Sequence, residues 1–133
     1  MKRLLAIFAI CILLIGCKGG GGSSSSAGGW SSNFVYSGTI TNFQVTPLAG
    51  SIQITATFNN TGNTELTSPK YSFVSSPSMW NTGEVTLSNI ATGGTYNLNQ
   101  TLSGTWTGNM DFTLTFKKSD GTTLESKTIT VAN

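Results

Sequence analysis

Alternation of apolar and polar residues is the feature that most limits how this chain folds. Ile52, Ile54, Ala56 and Phe58 follow one another at every second position, with Gln or Thr between them. Successive side chains of a β-strand point to opposite faces, so this pattern predicts a strand with one buried and one solvated face. The 3.6-residue apolar period of an amphipathic helix extends over only a few residues in any window after residue 30. The pattern therefore favours strands throughout this part of the chain.

Short alternating segments recur through residues 30–133, separated by turn residues about every 8–12 residues. Their apolar positions include Phe34 and Tyr36 in a first strand, then Phe43, Val45, Tyr71, Phe73, Val85, Leu87, Tyr96, Leu98, Leu102, Phe112, Leu114, Phe116, Leu124, Ile129 and Val131. One-faced burial argues against a parallel sheet that is covered on both faces. We expect residues 30–133 to form one all-β domain, an antiparallel Ig-like β-sandwich of about 7–8 strands.

The last hairpin is specific enough for a prediction of register. Lys118 and Thr122 should pair across a three-residue loop that ends at Gly121 in the left-handed region. This register places Phe116 opposite Leu124 on the buried face. Leu124 is even-numbered whereas Ile129 and Val131 are odd-numbered, so a β-bulge is expected between Glu125 and Thr128.

The start of the chain has the pattern of an export signal. Basic Lys2 and Arg3 precede an apolar run at residues 4–15, which is shorter than the about 20 residues of a spanning helix. The run ends in Leu-Ile-Gly-Cys at Leu14, Ile15, Gly16 and Cys17, which resembles the lipobox of bacterial lipoproteins. The resemblance implies cleavage before Cys17 and attachment of diacylglycerol and an N-acyl chain to it. The alternatives are an ordinary signal peptide with an incidental cysteine, or an uncleaved anchor.

This interpretation divides the chain into a signal peptide (1–16), a lipidated cysteine with a Gly/Ser linker (17–29) and the sandwich domain (30–133). Lys18 follows Cys17 where an aspartate would favour retention in the inner membrane of enteric-type bacteria. By that analogy we expect the bacterial cell envelope, attached to the outer membrane. Two acyl chains or more give stable anchoring, whereas one gives only reversible binding.

The residue inventory argues against catalysis. Histidine is absent, the only cysteine left after cleavage would be the lipidated Cys17, and the mature chain would contain no arginine. The seven basic residues include Lys2 and Arg3 of the signal, so the mature chain has five basic and five acidic residues and a net charge of zero. We therefore expect no enzyme, no metal site, no cofactor beyond the lipid and no nucleic-acid partner.

Trp30, Trp80 and Trp106 are the remaining candidates for contact with a ligand or a partner. Trp80 and Trp106 lie in segments rich in Ser, Pro, Gly and Thr, where an indole ring can stack on a sugar or anchor a protein. In the alternative interpretation these tryptophans close the ends of the sandwich core. The sequence therefore leaves a protein partner and a glycan or peptidoglycan partner both open.

Two segments carry a second resemblance. The segment 52–63 reads Ile-Gln-Ile-Thr-Ala-Thr-Phe-Asn-Asn-Thr-Gly-Asn, and the segment from Ile90 reads Ile-Ala-Thr-Gly-Gly-Thr-Tyr-Asn-Leu. They resemble parts of small bacterial Ig-like modules of the CARDB and FxLYD type, over about residues 40–131. The resemblance implies a non-catalytic module for binding or adhesion at the cell envelope, or an accessory subunit.

Overall fold

The computed structural model describes residues 33–133, which contain seven β-strands and no helix. The strands are β1 (Gly38–Leu48), β2 (Ser51–Asn60), β3 (Lys70–Ser76), β4 (Val85–Thr86), β5 (Thr95–Ser103), β6 (Asn109–Lys117) and β7 (Thr123–Ala132). All paired strands are antiparallel, in one sheet of order β1-β2-β5 and a second of order β4-β3-β6-β7. The predicted all-β, Ig-like sandwich is confirmed for this part of the chain.

The core lies between the two sheets, at the alternating apolar positions seen in the sequence. In β2 every second residue is buried, and Ile52 and Phe58 are completely covered. β6 alternates in the same way and contributes Phe112 and Phe116 from the opposite sheet. Phe58 stacks on Phe116 with the ring centroids 4.3 Å apart, so aromatic contact joins the middle strands of the two sheets.

The predicted first strand through Phe34 and Tyr36 is wrong. The first strand of the described region begins at Gly38, and the side chains of Phe34 and Tyr36 are 64% and 41% exposed. The segment before β1 is tied to the loop after β2 instead. The Asn63 N–H donates to the Val35 carbonyl (3.1 Å), and the Val35 N–H donates to Asn63 Oδ1 (2.8 Å). Alternation alone does not reveal whether a segment bonds to a core strand or to a loop.

The loop between β6 and β7 has the predicted length. The Lys118 N–H donates to the Thr122 carbonyl (2.8 Å), and the Gly121 N–H donates to the Lys118 carbonyl (3.0 Å). Gly121 has a φ of 90°, where a residue without a Cβ is favoured. The three-residue loop and the Lys118–Thr122 pair are therefore confirmed.

The predicted position of the bulge in β7 is wrong, and so is the pairing of Phe116 with Leu124. Phe116 pairs with Glu125 while the next residue of β6 pairs with Thr123, so Leu124 is the extra residue. From Glu125 to Val131 the register with β6 is unbroken, which is the outcome that contradicts a bulge between Glu125 and Thr128.

The reason for the shift is that charge is tolerated on the core side of this edge strand. Lys127 lies opposite Leu114, which is completely buried. The Lys127 side chain nevertheless remains exposed, and its Nζ donates to the Ile40 carbonyl of β1 (3.4 Å). A lysine stem can lie along apolar surface while its ammonium group reaches polar surroundings. The need to bury apolar residues therefore did not place Leu124 opposite Phe116, as was expected from the sequence.

Candidate functional site

Trp80 and Trp106 lie together at one end of the sandwich core. Trp80 belongs to the connection between β3 and β4, and Trp106 to the connection between β5 and β6. Their rings meet edge to face, with centroids 5.6 Å apart and planes at 85°. Both rings also contact Phe112, at centroid distances of 5.9 and 5.3 Å. The two loops are therefore closed over one aromatic cluster. Trp30 lies outside the described residues.

Ser75 positions the loop that carries Trp80. Its Oγ accepts hydrogen bonds from the Met79 N–H (2.9 Å) and the Trp80 N–H (3.0 Å), and donates to the Pro77 carbonyl (2.7 Å). The indole Nε1–H of Trp80 donates to the Ser103 carbonyl (2.9 Å). The polar atom of the ring is thus satisfied inside the protein, as buried tryptophans require.

The burial of both rings bears on their candidate roles. Trp80 is 6% and Trp106 is 5% exposed, and Trp106 Nε1 donates to the Gly108 carbonyl (3.0 Å). Stacking on a sugar or anchoring a partner needs an open ring face, which neither side chain presents in this structure. The geometry fits the alternative interpretation, in which the two rings close an end of the core. The glycan hypothesis therefore lacks the contacts it was based on.

The carboxylates of Glu84 and Asp120 are held in hydrogen bonds at the surface. The Glu84 carboxylate accepts hydrogen bonds from Lys70 Nζ (3.1 Å) and Lys117 Nζ (2.8 Å). Hydrogen bonds from these two lysines, Lys117 first, lower the pKa of Glu84. The pKa of Asp120 is also lowered, by a hydrogen bond from Lys118 (2.8 Å) and then by the Thr122 N–H (2.9 Å). A general acid at neutral pH needs a raised pKa, so these contacts suit a structural role.

A shallow depression of about 250 Å³ lies where the segment before β1 meets the β6–β7 loop. It is lined by Tyr36, Glu65, Leu66, Thr67, Lys118, Ser119 and Asp120. Lys118 Nζ lies 4.3 Å from the centroid of the Tyr36 ring and also pairs with Asp120. Lys118 and Asp120 therefore neutralise each other, and Glu65, the second carboxylate of the depression, accepts a hydrogen bond from Asn89 Nδ2 (2.8 Å). The sequence showed no sign that these distant residues meet.

Charged residues are divided unequally between the two sheets. β1, β2 and β5 contain none, whereas β3, β6 and β7 contain Lys70, Asp111, Lys117, Glu125 and Lys127. The outer face of the β1-β2-β5 sheet consists mainly of hydroxyl and amide side chains, with Leu48 exposed at the end of β1. Two hydrogen bonds that join them are Gln53 Nε2 to Asn99 Oδ1 (3.1 Å) and Thr57 Oγ1 to Asn97 Oδ1 (3.0 Å). One side of the sandwich is therefore polar but uncharged.

Residues 33–133 contain neither a cluster of metal ligands nor a membrane-spanning helix. No three side chains of His, Cys, Asp or Glu come together there as a metal site requires. That region also has no helix with the length and apolarity needed to cross a bilayer.

No protein-family model and no curated protein sequence matches this chain. Among solved structures, the alkylpurine DNA glycosylase AlkC of Pseudomonas fluorescens is similar, with 13% identity and a TM-score of 0.49, over 72% of this chain and 30% of that one. The β-glucosidase DesR of Streptomyces venezuelae matches with 18% identity and a TM-score of 0.40, over 72% and 15%. A β-glucosidase of Kluyveromyces marxianus matches with 15% identity and a TM-score of 0.40, over 76% and 14%. The chain thus spans less than a third of each of these proteins, and the likeness carries no inference about activity.

Proposed function

We propose that this chain is a lipid-anchored protein of the bacterial cell envelope whose sandwich domain is a non-catalytic interaction module for a protein partner. The observation that carries the proposal is the Leu-Ile-Gly-Cys sequence at residues 14–17, placed at the end of a short apolar run. The Gly- and Ser-rich segment 18–29 then connects the anchor to the folded domain.

The chemistry of the described residues supports an interaction role. Histidine is absent from the whole chain. Glu84 and Asp120 accept hydrogen bonds from lysines, which lower the pKa of each carboxyl. Asp111 Oδ1 accepts a hydrogen bond from Thr130 Oγ1 (2.6 Å). Glu65 Oε1 accepts from Asn89 Nδ2 (2.8 Å). Each of these carboxylates thus bonds to a group of the fold itself, which suits a module whose task is contact rather than reaction.

The outer membrane is the proposed site of attachment. Lys18 stands directly after Cys17, at the position where an aspartate would favour the inner membrane by the enteric-type rule. The mature domain would then face its partner from a bilayer to which it is fixed by several acyl chains.

Metabolic labelling with a fatty-acid analogue tests the anchor. The wild-type chain should incorporate the label and lose residues 1–16, whereas Cys17→Ser should remain an unlabelled precursor. Cys11→Ser is the matched control, because that cysteine lies within the signal and should leave labelling unchanged. Equal labelling of Cys17→Ser and the wild type would contradict the proposal.

A further inference from the structure

The two sheets have four edge strands, and three of them are protected against pairing with another strand. β1 contains a bulge between Thr41 and Gln44 and a proline, Pro47, which offers no N–H at the edge. β7 contains the bulge at Leu124 and carries Lys127 on its core side. β4 is only two residues long. Bulges, prolines, inward charges and short edge strands all hinder edge-to-edge association.

β5 is the fourth edge and has none of these protections. It is nine residues long and pairs with β2 without a register shift, from Ser51–Ser103 to Asn59–Thr95. It contains no charged residue and no proline. A long, regular and uncharged edge is the kind of strand to which another strand adds.

The hydrogen-bond pattern shows which backbone groups of β5 are free. At one end of the pairing the Gly104 N–H donates to the Gly50 carbonyl (3.0 Å), and at the other the Asn60 N–H donates to the Gly94 carbonyl (2.9 Å). In an antiparallel pair, residues alternate between those whose backbone N–H and C=O bond to the neighbouring strand and those whose groups point away from it. The N–H and C=O groups of even-numbered residues in β5 therefore point towards β2, and those of odd-numbered residues point towards the free edge. The outward Ser103 carbonyl is bound by Trp80 Nε1.

The four remaining outward residues are Thr95, Asn97, Asn99 and Thr101. Among residues 33–133, no hydrogen-bond partner is found for their main-chain N–H and C=O groups. The order Thr, Asn, Asn, Thr reads the same in both directions, with its centre at Leu98. A two-fold axis through this centre places Thr95 opposite Thr101 of a second copy, and Asn97 opposite Asn99 of that copy.

We propose that the β5 edge binds a second copy of this chain, with the two β5 strands antiparallel and centred on Leu98. Every free backbone group of the four outward residues then meets a free group of the partner copy, which makes the interface isologous. The result is one continuous sheet in the order β1-β2-β5-β5-β2-β1. This proposal deepens the proposed interaction function by naming the surface and the partner, and it does not depend on lipidation.

The side chains agree with this register. Asn97 Oδ1 and Asn99 Oδ1 already accept hydrogen bonds from β2, and each oxygen has a second lone pair for a donor from the other copy. Threonine pairs and amide pairs across antiparallel strands are compatible, and no like charges meet. An uncharged edge suits pairing between two copies of the same strand. Near the two-fold axis, a charged residue would lie close to the identical charge of the other copy and repel it.

Disulfide trapping tests both the surface and the register. The full chain carries Cys11→Ser and Cys17→Ser, so that an added cysteine is the only thiol. Chains with Asn97→Cys are mixed in detergent with chains with Asn99→Cys and exposed to air. The mixture should form a covalent dimer. Each variant alone should form several-fold less covalent dimer. In the proposed register the same residue of the two copies lies on a diagonal roughly 7–8 Å apart, which is beyond the usual reach of a disulfide.

Two controls complete the experiment. A mixture of Thr128→Cys and Thr130→Cys chains, on the exposed side of β7, reports random collision in the micelle. Thr101→Lys, added to both β5 cysteine variants, should suppress trapping several-fold because an edge lysine opposes pairing, whereas Thr128→Lys should not. Tryptophan fluorescence checks that each variant is folded. No trapping in the mixture, trapping equal to the β7 control, or equal trapping by Asn99→Cys alone would overturn the proposal.

Discussion

At the scale of single residues, Asn60 is a buried polar residue that ties three segments together. It is 1% exposed, and the two N–H groups of its Nδ2 are shared among the carbonyls of Thr64 (2.9 Å), Ile90 (3.1 Å) and Ala91 (3.1 Å). Its Oδ1 accepts from the Gly62 N–H (3.1 Å). The end of β2, the following turn and the approach to β5 therefore depend on one amide group.

Substitution of Asn60 should lower the free energy of unfolding by an amount that depends on the chemistry of the new side chain. Asn60→Ala should lower the free energy of unfolding by about 1–3 kcal/mol, because buried carbonyls lose their donor. Asn60→Asp should cost more, about 3–5 kcal/mol, because it places an uncompensated carboxylate against those carbonyls. Guanidinium unfolding of the full chain measures both. Asn59→Ala, on the outer face, is the control with an expected change within about 0.5 kcal/mol. Equal effects of the three variants would contradict this role.

The tryptophans give a second prediction at this scale. Trp106→Ala should lower the free energy of unfolding by about 3–5 kcal/mol because it opens a cavity beside Trp80 and Phe112. Trp106→Phe should cost less, since it keeps an aromatic ring in the cluster. Leu48→Ala, at a position that is 45% exposed, is the control. Full stability of Trp106→Ala, together with loss of binding to a glycan, would favour the ligand-binding interpretation instead.

At the scale of elements, the β6–β7 hairpin should be sensitive to acid. The folded-state pKa of Asp120 is lowered, so its contribution to stability is present above the unfolded pKa of about 3.9 and is lost as pH falls through the folded value. Asp120→Asn should therefore show a smaller loss of stability below about pH 4 than the wild type. Thermal unfolding across this range measures the difference, with Glu125→Gln on β7 as the control. An Asp120 carboxyl that titrates at its ordinary value by NMR would contradict the lowered pKa.

At the scale of the whole molecule, the separation of charge between the sheets predicts how association responds to salt. β5 and its neighbour β2 contain no charged residue, so the proposed dimer should change little between low and physiological ionic strength. The Asn97→Cys and Asn99→Cys mixture measures this directly, as the rate of trapping at two salt concentrations. A steep decrease with salt would indicate that copies associate through the charged β4-β3-β6-β7 sheet.

The sequence determined the local features of this protein because each depends on neighbouring residues. Alternation of apolar residues at Ile52 and Phe58 specifies a strand with one buried face, and a glycine at position 121 specifies the three-residue loop. The Leu-Ile-Gly-Cys sequence at residues 14–17 is likewise a local pattern, but it lies outside the described residues, and its interpretation as a lipobox stays a prediction.

Only the tertiary structure decided the features that depend on distant contacts. The burial of Trp80 and Trp106 results from loops that meet over Phe112. The bulge lies at Leu124 because β7 is an edge, where Lys127 can face the core side and still reach a polar group. The free edge of β5 follows from the order of strands in the sheet. Alternation sets which side chains share a face, but it carries no information about which strand lies at an edge or which loop covers a ring.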